Sequence, residues 1–272
     1  MIEKINLTFP NQLEIVKQAM LAQTEILHQV SKVYADALAS GGLIHVYANG
    51  HSRVAVEEMV IRMGALTGFR AILSSGLTSF TDVIGSNGIR VNQFFEKVEG
   101  SGGQLLDEID FGPKDVLVVV TATGTTAAAV DIALEFTKRY PQLTIVGIAS
   151  QQQSSEAPAK HSSGKNLWHV IKEAKRGYFI NNGMPVGDLT IEIAGKTDTY
   201  RVCPLSSIGA LTVVQCLNEL TIKQLEARAI DHPVLRNMHL NQTQVNYDSW
   251  LRDQRKRYAK AVNNPERVHP QQ

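Results

Sequence analysis

Short apolar segments alternate with helical stretches along the middle of the chain. The segments are Leu43–Ala48, Val116–Val120 (VLVVV) and Leu143–Ala149, and amphipathic stretches follow the first two at Ser52–Leu66 and Thr126–Arg139. A strand without polar alternation is buried on both faces, which is typical of a parallel sheet covered by helices on each side. The alternation therefore predicts an α/β protein with three layers: helix, sheet and helix.

Further elements are predicted on either side of this core. Asn11–Ser40 has apolar residues at helical spacing and ends at Gly41-Gly42, so it forms one long helix or two shorter pieces. The remaining predicted elements are a strand at Arg70–Ser74, a short helix at Gln93–Val98, a strand at Tyr178–Asn181, a hairpin of Leu189–Ala194 and Thr199–Cys203 appended to the sheet, and a helix at Ser206–Arg228.

Two polar stretches and a tail complete the organisation. Thr78–Gly103 contains several glycines and is expected to form a rim of the binding site, and Gln151–Lys165 is expected to be irregular. The tail from His232 carries apolar side chains among Arg and Lys, which predicts a loosely docked amphipathic helix with Trp250, Leu251 and Tyr258. We expect one domain at 41–230, preceded by a helical segment at 1–40 and followed by an extension at 231–272.

The composition excludes several classes of protein. The 272 residues are 43% apolar and 19% charged, as in ordinary soluble proteins, and the formal net charge of +1 gives no reason to expect nucleic-acid or membrane partners. The sequence contains no apolar run long enough to span a membrane and no secretory signal. Cys203 and Cys216 lack metal-ligand spacing and are expected to be buried thiols in a reducing compartment. We therefore expect a cytoplasmic protein.

Two strand-to-helix junctions have the chemistry of anion binding. In the first, Asn49–Ser52 (NGHS), Gly50 allows close backbone approach and Ser52 is placed as a helix N-cap. The second, Thr121–Thr126 (TATGTT), places four hydroxyls around a glycine. Free N–H groups at a helix start bind phosphate, although Ser or Thr there is more often only a cap. Because neighbouring strand ends open into one crevice where the strand order reverses, the two junctions together predict a phosphate site.

Both junctions resemble those of the SIS (sugar isomerase) family. NGHS is similar to the family's GxGxS-type turn, and TATGTT is similar to its ISxSGxT loop with Thr for both serines. The stretches GHSRVAVEEMVIRMGAL, KHSSGKNLWHVIKEA and MPVGDLTIEI are most similar to a branch grouped with phosphosugar and phosphoheptose isomerases. The resemblance covers Gln12 to Arg228. It implies a flavodoxin-like five-stranded parallel sheet and a homodimer or homotetramer with sites near subunit boundaries.

The resemblance also implies which residues bind the substrate. In SIS proteins these hydroxyls and the nearby backbone amides hold the phosphate of a phosphosugar. Carried over to this sequence, the phosphate-binding residues are Asn49, Gly50, His51, Ser52, Thr121, Thr123, Gly124, Thr125 and Thr126.

An aldose–ketose isomerase needs a base, and usually an acid, beside the reacting carbons. Glu57 and Glu58 are the candidate bases; they flank a second apolar stripe on their helix, where burial at an interface would raise their pKa. Alternatively, Arg53–Glu57 and Glu58–Arg62 are i,i+4 ion pairs on a solvated helix. His161 is the candidate acid and His51 a possible second one, unless either is an ordinary surface histidine.

Other polar residues are expected near the sugar. The segment Lys160–Lys165 follows a strand end and is expected to fold over the sugar as a lid. Asp188 and the pair Ser206-Ser207 are expected to reach the crevice, with turn and cap roles as the alternative. The possible substrate contacts are Arg53, Ser162, Ser163, Lys165, Asp188, Ser206 and Ser207.

The sequence favours a sugar-phosphate isomerase that transfers a proton through an enediol(ate) and requires no metal or organic cofactor. Two alternatives stay open. One is an etherase or lyase acting on an amino-sugar phosphate, which also depends on a carboxylate base. The other is a non-catalytic phosphosugar sensor. SIS sensors in transcription factors carry an N-terminal helix-turn-helix, whereas the first forty residues here indicate a helix without basic character, which argues against direct DNA binding.

Overall fold

The computed structural model describes residues 7–77, 84–86, 88–232, 234–236 and 247–271. Seven strands are present in these residues: β1 Ile44–Ala48, β2 Phe69–Ile72, β3 Val116–Val120, β4 Thr144–Ala149, β5 Gly177–Asn181, β6 Leu189–Ala194 and β7 Thr199–Pro204. The first five form a parallel sheet in the order β2-β1-β3-β4-β5, and β6 pairs with β7 in a separate antiparallel sheet. The hairpin is therefore present as predicted but does not join the main sheet.

Helices cover both faces of the five-stranded sheet. They are α1 Phe9–Ala22, α2 Thr24–Ala39, α3 Arg53–Val60, α4 Ile89–Phe95, α5 Ser101–Asp107, α6 Ala127–Arg139, α7 Gln151–Glu156, α8 Leu167–Glu173, α9 Ser206–Ala227 and α10 Tyr247–Lys260. Two apolar cores lie against the sheet: one packs α1, α2, α3 and α9 against its first face, and the other packs α5, α6 and α8 against its second. Val118 faces the first core and Val119 the second, which is why β3 is apolar throughout. The predicted three-layer α/β fold is confirmed.

Several boundaries differ from the sequence prediction for identifiable reasons. The N-terminal helix forms two pieces that part at Gln23. The helix after the first junction ends at Val60 rather than Leu66, because Leu66 forms an antiparallel bridge with Val234 and Leu235 donates its backbone N–H to Ala65. The chain is extended there and cannot continue the helix.

The stretch Gln151–Lys165, predicted to be irregular, begins with α7. Ser150 starts this helix by accepting a hydrogen bond from the Gln153 amide at 3.4 Å. Six polar residues show no apolar periodicity, so the pattern could not reveal the helix. The short α5 was also missed; its Gly102 allows the helix to approach the backbone of Ile132 in α6, where a Cβ would lie 2.5 Å from the Ile132 Cα.

The C-terminal helix docks firmly, contrary to the expectation of a loose tail. Trp250 is buried, and its indole N–H donates to the Ala65 carbonyl at 3.3 Å. The Gln254 side chain accepts from the Gly68 amide at 2.7 Å and donates to the Phe69 carbonyl at 2.9 Å. An edge strand otherwise exposes unpaired backbone groups. Helix α10 therefore covers the outer edge of β2.

A buried polar pair lies beneath the amino end of the sheet. His45 of β1 donates from Nε2 to the Asp115 carboxylate at 3.1 Å, and the same carboxylate accepts the backbone N–H groups of Leu43 and Gly112. Burial lowers the pKa of His45, and the bond to Asp115 only partly offsets this effect. Burial opposes the charge of Asp115, but its hydrogen bonds outweigh that penalty and lower its pKa. The ring is therefore neutral and the carboxylate charged near neutral pH.

Some expectations fall wholly or partly outside the described residues. Of the predicted rim Thr78–Gly103, residues 78–83 and 87 are not described; its short helix forms at Ile89–Phe95, four residues earlier than predicted. In the part of the chain that the structure describes, no helix is long and apolar enough to cross a bilayer.

Cys203 and Cys216 are free thiols, and both are half-buried rather than fully buried.

Candidate functional site

The two loops predicted to bind phosphate leave the sheet side by side. Strands β1 and β3 are neighbours, and Ala48 at the end of β1 pairs with Val120 at the end of β3. From β1 the chain crosses to β2 on one side, whereas from β3 it crosses to β4 on the other, so the strand order reverses between them. Ligands of open α/β sheets bind at such reversals. We call the space above these strand ends the crevice, Asn49–Ser52 the first loop and Thr121–Thr126 the second loop.

The first loop turns tightly before α3. Asn49 is extended, and Gly50–Ser52 forms a 3₁₀ turn in which Gly50 has φ +54°. Ser52 occupies the N-cap position, but its hydroxyl accepts no hydrogen bond from the helix, so the predicted capping role is not the one it has in the structure. Asn49 is buried, and its side-chain Nδ2 has no hydrogen-bond partner among the described residues.

Two carbonyl groups of the second loop accept hydrogen bonds on the side of the loop that faces β4 and α8. The Ala122 carbonyl accepts from the Ser150 amide and the Asn182 side chain, both at 3.0 Å. The Gly124 carbonyl accepts from the Leu167 amide at 2.8 Å. In a trans peptide the N–H points opposite to the C=O, so these bonds turn the N–H groups of the next residues the other way. Of these two N–H groups, that of Thr125 donates to Thr123 Oγ1 at 3.2 Å, and that of Thr123 faces away from β4 and α8.

Gly124 and Thr126 complete the second loop. Gly124 has φ +73°, and a Cβ on it would lie 2.2 Å from Ser154 Oγ, so only glycine allows this turn to pack against α7. Thr126 is the N-cap residue of α6, and its hydroxyl makes no cap hydrogen bond either. Thr123 and Thr125 bond to each other through their hydroxyls at 2.9 Å. Two of the predicted hydroxyls, Ser52 and Thr126, thus stand at helix starts without capping them.

Acidic and polar side chains lie over the first loop. Glu96, just after α4, approaches so closely that a Cβ on Gly50 would lie 2.8 Å from its Oε1. Burial raises the pKa of Glu96, and Lys160 only partly offsets this. The Tyr47 hydroxyl at the end of β1 is fully buried without a partner in the described part of the chain; burial raises its pKa, with further contributions from Glu96 and Asp131. A buried polar cluster therefore adjoins the crevice.

His161 belongs to the same region. Its Nδ1 accepts the backbone N–H of Ser163 at 3.0 Å, which leaves Nε2 as the protonated nitrogen of the neutral ring. Nε2 points towards two carboxylates, 3.5 Å from Glu99 and 3.6 Å from Asp131. Glu99 also accepts from the Ser162 amide at 2.8 Å and from its hydroxyl, which lowers the pKa of this carboxyl. These bonds fasten the predicted lid segment to the chain that follows α4.

The two glutamates predicted as bases lie on α3 in ion pairs. Glu57 is about half exposed and accepts from Arg53 at 2.8 Å, whereas Glu58 pairs with Arg62 at 3.3 Å and accepts from Gln215 of α9. Helix α3 packs between the sheet and α9 of the same chain. Of the second apolar stripe, Val54 is half-buried and Ala65 is buried, whereas Ile61 is 75% exposed. The structure therefore favours the ion-pair interpretation of both glutamates.

Most of the other predicted contacts have structural partners. The two Asp188 oxygens accept three hydrogen bonds at the start of α9, from the Leu205 and Ser206 amides and the Ser206 hydroxyl, at 2.7–2.8 Å. These bonds give Asp188 and Ser206 the turn and cap roles. Lys165 forms an ion pair with Glu173 at 2.5 Å. Ser207 is half-buried in the first turn of α9, the helix that contacts the 3₁₀ turn of the first loop, and His51 is exposed.

Comparison with known proteins identifies the family. Residues 9–150, just over half of the chain, match the sequence model of the SIS domain. The chain belongs to the SIS-domain family. This SIS protein is similar to the UPF0309 protein of Caldanaerobacter subterraneus subsp. tengcongensis, with 28% identity over 237 residues that cover 87% of this chain and 82% of the relative. A UPF0309 protein of Halalkalibacterium halodurans is 25% identical over 229 residues, which cover 84% and 88% of the two chains.

A solved structure resembles this SIS protein more distantly. The phosphoheptose isomerase GmhA from Neisseria gonorrhoeae superposes with a TM-score of 0.49 at 13% sequence identity, over 79% of this chain and 95% of that one. The family assignment rests on the SIS-domain match, and the fold class rests on the five-stranded parallel sheet of this chain. The roles of individual residues rest on their geometry in this chain.

Sequence reasoning missed four residues of the crevice, namely Tyr47, Asn92, Glu96 and Asp131. Tyr47 lies within a predicted apolar strand and Asp131 within a predicted amphipathic helix, so neither stands out in the sequence. Asn92 and Glu96 lie where the pattern predicted a glycine-containing rim. Only the close approach of Glu96 to Gly50 reveals that α4 faces the first loop. A one-dimensional pattern does not contain that information.

The described residues contain no group of three His, Cys, Asp or Glu side chains arranged to hold a metal ion. The absence of metals and cofactors from the chemistry stays a prediction.

Proposed function

We propose that this SIS protein binds a sugar phosphate in the crevice and interconverts its aldose and ketose forms. The observation that carries the proposal is the state of the two helix starts. Ser52 and Thr126 occupy N-cap positions, yet neither hydroxyl caps its helix. Side chains of this type normally accept a helix N–H there. Because these two hydroxyls do not cap their helices, they can donate hydrogen bonds to a phosphate in the crevice, beside the backbone donors that face it.

The second loop supplies the electrostatics for that phosphate. Helix α6 is thirteen residues long, and its N-terminus carries the positive end of the helix dipole. The bonded Ala122 and Gly124 carbonyls fix the orientation of the loop before any ligand arrives. A preoriented loop loses little conformational freedom on binding, which favours affinity. Thr121, Thr123, Gly124, Thr125 and Thr126 are accordingly proposed to bind the phosphate, with Asn49–Ser52 facing them.

The sugar would extend from the phosphate towards the buried polar cluster. Asn49 Nδ2 and the Tyr47 hydroxyl are buried without partners among the described residues, and such groups are costly unless something satisfies them. A polyhydroxylated ligand offers many donors and acceptors. His161 presents Nε2–H, because its Nδ1 accepts the Ser163 amide, and this N–H suits a hydrogen bond to a carbonyl oxygen as negative charge develops on it. These features favour enediol(ate) chemistry at this end of the crevice.

Two further properties are part of the proposal. We propose that the protein acts in the cytoplasm, since two free cysteines are compatible with a reducing compartment. We also propose a homodimer, on the resemblance to SIS proteins alone.

Ligand binding is tested by thermal unfolding with a panel of fructose 6-phosphate, glucosamine 6-phosphate, N-acetylglucosamine 6-phosphate, N-acetylmuramate 6-phosphate and sedoheptulose 7-phosphate. A ligand at a hundred times its dissociation constant stabilises by about 2.7 kcal/mol. Thr126→Val then tests the loop. Its binding should weaken about 10- to 100-fold, because a hydrogen bond to a charged group contributes about 1.5–3 kcal/mol. Thr137→Val, near the other end of the same helix, is the matched control and should bind normally.

Reaction type is tested by incubating each bound sugar phosphate in deuterated water. Deuterium appearing on carbon supports the isomerase. Binding without exchange favours a sensor, and release of the ether substituent from N-acetylmuramate 6-phosphate favours the etherase. If no panel member binds, or if Thr126→Val binds as well as the native protein, the proposed phosphate site is wrong.

A further inference from the structure

A carboxylate that the sequence did not single out lies directly against the first loop. Glu96 directly follows α4. Its backbone carbonyl accepts the Ala128 amide in the first turn of α6 at 3.1 Å. Its side chain turns the other way, so that Oε1 lies 2.8 Å from where a Cβ on Gly50 would be. Glu96 therefore spans the gap between the second loop's helix and the first loop. Only a glycine at position 50 leaves room for it.

Asn92 accompanies Glu96 on the same face of α4. Residues four apart on a helix lie on one face. A Cβ on Gly50 would lie 4.0 Å from Asn92 Oδ1. Asn92 is 4% exposed, and its Nδ2 has no partner within the described residues. Asn49 Nδ2 and the Tyr47 hydroxyl share that state. Tyr47 and Asn92 thus lie near this carboxylate, and Asn49 directly precedes the glycine that Glu96 approaches.

Such a cluster is rare in a folded protein. More than nine-tenths of buried polar groups have hydrogen-bond partners, and each exception needs an explanation. The groups here come from β1, the first loop and α4, at the point where the strand order reverses. Hydroxyl groups of a ligand are the partners that would satisfy the two amide donors and the phenol together. The carboxylate in their midst would then touch that ligand.

We propose that Glu96 is the base that moves the proton between adjacent carbons of the sugar phosphate. The inference rests on the proposed function. The Glu96 carboxylate takes the proton from the hydroxyl-bearing carbon next to the carbonyl, which leaves an enediolate, and returns it to the former carbonyl carbon. The hydroxyl proton passes to the former carbonyl oxygen, which bonds to His161 Nε2. One C–H and one O–H bond break and one of each forms, so no oxidant is needed.

The surroundings of Glu96 suit a base better than those of the α3 glutamates. The Glu57 carboxylate is exposed and engaged in an ion pair with Arg53. Glu96 makes no ion pair within 4.0 Å among the described residues, and burial raises its pKa. The charged and titratable groups around it are Tyr47 from β1, Asp131 from α6, Lys160, and the Glu99–His161 pair. Burial opposes the ionisation of Glu96, and Lys160 favours it.

The test is Glu96→Gln in the full-length protein, with the panel sugar phosphate that binds the native protein best. Gln keeps the size of the side chain and does not touch the backbone bond to Ala128. Binding by thermal shift should stay within about threefold, whereas deuterium incorporation at carbon should fall about 10²- to 10⁴-fold, the usual contribution of a general base. Glu108→Gln, at the end of α5, removes the same charge away from the crevice and should behave as native.

A pH profile separates a base from a residue that only supports the fold. The native exchange rate should rise with pH through a midpoint above the ordinary glutamate pKa of about 4.3, because the ionised form is the base. Glu96→Asp, a shorter carboxylate, should keep the pH dependence at a lower rate, and Glu96→Gln should lose it.

Each contrary outcome is distinct. Native-like exchange in Glu96→Gln, or loss of exchange in Glu57→Gln or Glu58→Gln instead, overturns the role of Glu96 and leaves the isomerase standing. A native protein that binds a panel sugar phosphate but never exchanges deuterium overturns both. A native protein that binds none of the panel overturns the phosphate site itself.

Discussion

Replacing Gly124 by alanine tests whether the second loop is held in shape by its packing against α7. Gly124 has φ +73°, and its added Cβ would lie 2.2 Å from Ser154 Oγ and 3.2 Å from Ala149 Cβ. The left-handed conformation costs an L-residue about 1–2 kcal/mol. Forcing a methyl group into this contact adds about 1–3 kcal/mol. Gly124→Ala should therefore lower the free energy of unfolding by about 2–5 kcal/mol.

A second glycine separates the two contributions. Gly164 has φ +71°, almost the same backbone conformation, but a Cβ on it would meet nothing within 4 Å. Gly164→Ala should therefore cost only the conformational part, about 1–2 kcal/mol. The change in unfolded-state entropy is the same for both variants and cancels in the comparison. The difference between the two should be about 1–3 kcal/mol.

Urea unfolding followed by circular dichroism gives both free energies by linear extrapolation. Sugar-phosphate binding by thermal shift should weaken in Gly124→Ala, because the loop carries the backbone donors, and should be retained in Gly164→Ala. Equal destabilisation of the two variants would refute the packing argument. Undiminished binding by Gly124→Ala would show that the loop need not hold this shape.

Two further predictions concern the fold itself. Gln254→Leu should lower the free energy of unfolding by about 1–3 kcal/mol, since the buried Gly68 amide would lose its acceptor, while the Phe69 carbonyl would keep the Tyr258 hydroxyl as a donor; an unchanged urea midpoint would contradict this. Stability should fall on acidification below about pH 6.5, where unfolded histidine gains a proton that the buried His45 resists, and fall further below about pH 4 as unfolded Asp115 protonates. Each group contributes at most about 1.4 kcal/mol per pH unit, and a flat urea midpoint from pH 7 to 5 would contradict the assignment for His45.

The sheet could be predicted because its strands show a local pattern that burial on both faces requires. Val116–Val120 is the clearest case, and the structure has the strand at those residues. The two loops followed from the same pattern, since each comes directly after such a strand. The pattern did not predict elements whose position depends on contacts between residues that are far apart in sequence. Helix α3 ends early because of a bridge to Val234, and α5 exists beside α6 because Gly102 permits the approach.

The proposed catalytic carboxylate was harder to predict than the two proposed phosphate-binding loops for the same reason. A phosphate loop is one continuous segment, so its glycine and hydroxyls appear together in the sequence. A base needs only to be near the ligand, and Glu96 reaches Gly50 from a helix about forty-five residues later. Glu57 and Glu58 attracted notice because they are close to the loop along the chain. They are close to the loop in sequence because they lie on α3, and there each of them forms an ion pair with an arginine.

A crystal structure with the tightest-binding sugar phosphate of the panel examines the phosphate site directly. The phosphate should lie between the first and second loops, with Thr126 Oγ1 and the backbone N–H groups of Thr123, Gly124 and Thr126 at hydrogen-bond distance and the sugar directed towards Glu96. A phosphate bound elsewhere, or a crevice in which apolar side chains fill the space between Ser52 and Thr126, would contradict the proposed site.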